Sequence, residues 1–106
     1  LVPWSEGRDA AWRRWDWARS APGDERLTRA DASLIIEGSG VLTEASAAYA
    51  PIRVWLDSPE AARRERALTR DGDAYRPHWE RWAAQERSHL ERDHPRSLAT
   101  LIVDVP

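Results

Sequence analysis

Apolar residues gather in three short runs along the chain: Leu34-Ile35-Ile36, Ile52 to Leu56 with one Arg inside it, and Leu101-Ile102-Val103. Ile and Val are stiff at the first side-chain torsion and pack well on a pleated surface, so each run predicts a buried strand, over 33–36, 52–57 and 99–106. The first two end on carboxylates, Glu37 and Asp57. A carboxylate at the end of a buried strand is costly unless it reaches solvent, a hydrogen-bond partner or a metal.

Charged stretches with helical spacing separate these runs. Val41 to Ala50 is a short helix stopped by Pro51. Ser58-Pro59-Glu60 has the residue types of a helix start, with Ser58 as N-cap, and Asp71-Gly72 those of a stop. A second long helix is expected after Pro77 and before Pro95, with Trp79, Trp82, Ala83 and Leu90 on its apolar face and packed against the sheet. At the N-terminal end the spacing around Trp12, Trp15 and Trp17 tolerates a helix after Gly7, and residues 21–33 read as a surface loop or weak hairpin. Strands alternating with helices predict an α/β fold with parallel pairing and right-handed crossovers. Ligands of such sheets bind at the carboxyl ends of the strands. The expectation is one domain with three parallel strands and Glu37 and Asp57 on one rim.

Composition narrows the function classes. The chain has 106 residues, no Cys and no Met. Thiolate metal sites and disulfides are excluded, and no apolar run approaches the about 20 residues that span a bilayer. A cytoplasmic protein without a membrane partner is expected. All 16 basic residues are Arg, within a net charge of −2. Because these cations alternate with acids, a nucleic-acid partner is not expected. His78, His89 and His94 are too far apart for a local metal site and are expected to be solvated.

Three segments, taken in order, resemble the uridine kinase-like branch of the P-loop nucleoside and small-molecule kinases. They are Trp15-Asp16-Trp17, an aromatic-Asp-aromatic motif; "LIIEG" ending in Glu37-Gly38; and "VWLDSPEAA" followed by Arg63, Arg66, Arg70 and Asp71, with Arg76 beyond. The resemblance covers residues 12–80 and more loosely the rest. It implies a partial P-loop kinase-like sheet, divided into a substrate-side segment (1–32), two strands with a short helix (33–57), a lid-like Arg helix with the helix after it (58–95) and a last strand (96–106). The phosphate loop, G-x-x-x-x-G-K-[ST], is absent from the chain, as is any Lys. The expectation is therefore a C-terminal part of a kinase, inactive by itself. Leu1-Val2-Pro3-Trp4 is similar to the segment after the family's catalytic acid.

Carried over by this resemblance, Glu37 orients Mg²⁺ directly or through a water, Ser39 and Gly40 shape the turn beside the nucleotide, and Asp57 lies near it. Arg66, Arg70 and Arg76 clamp the phosphates of ATP. Trp15, Asp16, Trp17 and Arg19 hold a nucleoside or another small hydroxyl compound, although the family's His is missing from "WDWARSAP". For Arg63 the residues themselves favour compensation by Glu60 and Glu65. A different class is also open: a non-enzymatic α/β module that binds a protein or an anionic partner through the Arg-rich helix and exposed Trp residues.

Overall fold

The computed structural model describes residues 1–106, which form two compact units, Leu1–Ile36 and Glu37–Pro106. The fold is mixed α/β, with one antiparallel and one parallel strand pair. No helix is long and apolar enough to cross a membrane.

In the first unit a short helix α1 (Val2–Ser5) precedes β1 (Ala10–Asp16) and β2 (Ala21–Thr28), an antiparallel hairpin. The helix expected after Gly7 is thus a strand. Trp is a good strand former, and the turn 17–20 lets β1 pair with the segment that follows at once. The Asp16 carboxylate accepts the Arg19 N–H at 3.1 Å and closes that turn. Register slips between the pairs Arg13↔Glu25 and Trp15↔Pro22, so β2 carries one extra residue. Pro22 and Gly23 suit such a bulge: Pro has no N–H to give the ladder, and a Cβ on Gly23 would sit 3.2 Å from the Arg14 carbonyl. The indoles of Trp12 and Trp4 donate to Thr28 Oγ1 and to the Ala32 carbonyl.

The second unit contains α2 (Glu44–Ala47), β3 (Val54–Asp57), α3 (Glu60–Asp71), α4 (Trp79–Asp93), α5 (Pro95–Leu98) and β4 (Leu101–Asp104), with two 3₁₀ turns between α3 and α4. β3 and β4 pair in parallel, Val54↔Leu101 through Asp57↔Asp104, as the strand–helix alternation requires. The sheet stops there. Residues 33–37 form no strand and pair with nothing, so the three-stranded sheet, and with it a common rim for Glu37 and Asp57, does not form. The connection from Ile36 to β3 is near the minimum for a parallel crossover, and its four-residue α2 buries too little to draw the run against β3.

α2 begins with a capping box in which Thr43 and Ser46 exchange side-chain and backbone bonds. α3 starts one residue later than its sequence suggests. Pro59 is its N-cap, and the Ser58 hydroxyl instead receives Arg66. Gly72, at φ +56, ends it in a conformation that L side chains rarely adopt. The core lies along α4, where Trp79, Ala83 and His89 are buried, and at Pro95. Tyr75 meets Trp82 edge-on at 4.4 Å between ring centroids. Neither side of the sheet is closed. Trp55 is half-buried on one face, where Ile102 is exposed beside the half-buried Leu90 and the buried Pro95, and Val54, Leu56, Leu101 and Val103 share the other and are all exposed, Leu56 at 63%.

Removing a large aromatic from so small a core is costly. Trp79→Ala is expected to destabilise the second unit by about 3 kcal/mol or more, whereas Trp17→Ala, at an exposed position, should cost under about 0.5 kcal/mol. Urea unfolding followed by circular dichroism distinguishes the two; equal losses would place the core elsewhere.

Candidate functional site

The substrate-side residues sit at the tip of the first unit's hairpin. Trp15, the residue before the last of β1, lies opposite Pro22, and its ring meets that of Trp17 edge-to-face at 6.5 Å. Trp17 is 82% exposed. The Asp16 carboxylate is already engaged by the turn, so one of its oxygens has a structural task, and Arg19 supplies that N–H from its backbone while its side chain stays exposed.

In the second unit, Glu37 is exposed and takes part in none of the ion pairs. Ser39 and Gly40 form the turn that follows, where Gly40 has φ +80. Asp57 ends β3 beside its cross-strand neighbour Asp104. Two carboxylates opposite each other repel, and the ion pair from Arg96 to Asp57 relieves this.

The Arg residues of α3 divide by what holds them. Arg63 donates to the Ser58 carbonyl and pairs with Glu86 of α4, so it joins two helices. Its guanidinium is raised above its ordinary value, chiefly by the hydrogen bond to Glu86, against the opposing effect of burial. Compensation by an acid is as the sequence suggests; the acid is Glu86, with Glu60 contributing only at longer range. Arg66 donates to Ser58 Oγ at 2.6 Å and to the Pro106 main-chain oxygen at 2.5 Å. It clasps the start of α3 to the chain beyond β4.

Arg70 and Arg76 are held differently. Arg70 grips the carboxylate of its neighbour Asp71 through Nε and Nη2, which holds Asp71 below the usual carboxylate range. Arg76 reaches Asp73 at 3.5 Å. Both guanidiniums are largely exposed, 74% and 69%, so these pairs exchange readily with solvent and contribute little to stability. No group of three or more Asp, Glu, His or Cys converges to hold a metal. Two open grooves, one on the outer face of α3 at Ala61, Arg64 and Leu68, the other at Leu90, Pro95 and Ile102, include none of the residues that the resemblance assigns.

One arrangement escaped sequence reasoning. His89, expected in solvent, is 6% exposed, and its Nδ1 lies 2.8 Å from Asp93 Oδ2 one helical turn on. His89 Nε2 is buried without a partner. His89 is buried on α4 with Trp79 and Ala83 but lies off the stripe formed by Trp79, Ala83 and Leu90, so the apolar pattern does not reveal it. The i, i+4 spacing of His89 and Asp93 was the available signal. Comparison with protein-family models, curated proteins and solved structures returns no significant match.

Asp93 is held below the ordinary carboxylate range, first by its hydrogen bond from Arg92 and then by His89. A group with a depressed folded pKa adds stability above its unfolded pKa, and this is lost as pH falls through the folded value. The wild-type chain should therefore lose stability on acidification below the normal Asp range, and Asp93→Asn should flatten that limb. Urea midpoints measured between neutral pH and pH 3 test this; parallel pH profiles for the two proteins would contradict it.

Proposed function

We propose that the chain is the acceptor-side and lid portion of an ATP-dependent phosphotransferase, similar to the uridine kinase-like group, whose phosphate loop lies outside these residues. The supporting observation is that α3 leaves the carboxyl end of a parallel strand and brings Arg70 to its last turn, with Arg76 just beyond, both exposed and both held by exchangeable local acids. A triphosphate offers more anionic oxygens than either aspartate and matches the planar donor fork of Arg. Arg66 would have to release Ser58 and Pro106 before it reached a phosphate. Glu37 has the free carboxylate that a Mg²⁺ ion would need, with the remaining ligands drawn from phosphate and water. When bound, Mg²⁺ neutralises charge on the phosphate oxygens. In the hairpin, Trp15 and Trp17 offer aromatic faces to a small hydroxyl compound, and the second oxygen of Asp16 accepts from its hydroxyl.

The chain alone should not hydrolyse ATP, since nothing in it cradles the β and γ phosphates. It should still bind tripolyphosphate weakly. Arg70→Ala is expected to weaken this binding about tenfold, the effect of one charge-assisted hydrogen bond, with a stability change under about 0.5 kcal/mol. Unchanged affinity after both Arg70→Ala and Arg76→Ala would defeat the lid assignment. A second reading, a non-enzymatic module for a protein or anionic partner, draws on the exposure of Trp17 and of the Arg side chains. Arg70→Lys separates the two, because attraction by net charge survives the exchange and a bidentate clamp does not.

A further inference from the structure

β3 has a neighbour on one side only. The Arg53 and Asp57 carbonyls accept from β4 and the residue after it, so by alternation the N–H and C=O groups of Val54 and Leu56 point to the open edge. Nothing guards that edge. Val54-Trp55-Leu56 contains no Pro, Lys or other charge of the kind that protects edge strands. The same chain holds a strand-forming run without a partner. Residues 33–37 adopt no helix or strand, lie where the two compact units meet in sequence, and expose Leu34, Ile35 and Ile36, with Ile35 at 93%.

We propose that Ser33–Glu37 of one copy adds to the open edge of β3 in a second copy, antiparallel, with Leu34 opposite Leu56, Ile35 opposite Trp55 and Ile36 opposite Val54. Charge selects both direction and register. In this arrangement Glu37 faces Arg53, and Ser33 faces Asp57. In the parallel alternative Glu37 would face Asp57, a repulsive pair. Arg53 has reason to attract an acid: its guanidinium is half-buried, donates to the carbonyls of Leu98 and Ala50, and has no carboxylate partner. Three apolar residues meet three apolar residues between these ends. An antiparallel strand at the edge of a parallel pair is a common mixed-sheet arrangement. Each copy both gives and receives a strand, so reciprocal exchange closes a two-fold dimer. The proposal is independent of phosphotransfer and needs no Mg²⁺ at Glu37.

The absence of Cys makes the test direct. Leu34→Cys and Leu56→Cys are made in separate chains and mixed under oxidising conditions, so that only contact between copies yields a heterodisulfide. Hydrogen-bonded antiparallel partners have Cα atoms about 5.5 Å apart, within disulfide reach. A heterodisulfide should form for this mixture, and for Ile36→Cys with Val54→Cys, but not for Leu34→Cys with Val54→Cys. In sedimentation velocity the unmodified chain should move with rising concentration from its 12.1 kDa toward twice that mass. Ile36→Pro, which removes an N–H that the added strand needs while leaving both units' elements untouched, should abolish the shift. A constant monomer mass, no heterodisulfide, a preference for the Leu34–Val54 mixture, or a dimer unaffected by Ile36→Pro would each overturn the proposal.

Discussion

The parallel pairing of Val54–Asp57 with Leu101–Asp104 is the constraint on which the second unit depends. Parallel strands cannot be joined by a tight turn, so the chain must cross over, and α3 and α4 are that crossover. Because the crossover starts at the carboxyl end of β3, α3 begins at the edge where ligands of open α/β sheets are held. The same pairing sets Asp57 beside Asp104, and Arg96 answers that repulsion from α5. It also leaves four apolar side chains, Val54, Leu56, Leu101 and Val103, on a face that the unit's own helices do not cover. Parallel sheets are normally covered on both faces. The sheet of this unit is therefore unfinished, in its edge as well as its face.

Arginine does several different jobs here, and geometry separates them where composition does not. Arg63 and Arg66 are tied to Ser58 from both sides, and Arg63 also to Glu86; they fix the first turns of α3 against α4 and against the end of the chain. Arg53 bonds two carbonyls without an acid. Arg70 and Arg76, in exposed pairs with adjacent aspartates, give up little when they exchange partner.

Much of the second unit was legible in the sequence. Pro59, Asp71-Gly72 and Pro95 mark element ends, and the β-branched runs at 52–57 and 99–106 contain the two paired strands, whereas the helix expected to run from Val41 to Ala50 is only Glu44–Ala47. The run at 33–36 has a similar composition and remains unpaired, because a strand needs to be brought against an edge as well as propensity. The first unit misled the helical reading: Trp12 and Trp15 are three apart, as on a helix face, while Trp15 and Trp17 are two apart, as on a strand, and the Asp16–Arg19 turn favours the hairpin locally. The placements of Glu86 against Arg63 and of His89 against Asp93 depend on how α4 turns toward its neighbours, which short-range pattern does not specify.

Amide hydrogen exchange in dilute solution tests the unfinished sheet most directly. The amides of Trp55 and Asp57, which point toward β4, should be protected, while those of Val54 and Leu56, which point to the open edge, should exchange near the rate of an unstructured chain. Equal protection of all four amides at the lowest measurable concentration would show that the edge is already filled within a single chain, and would contradict the account.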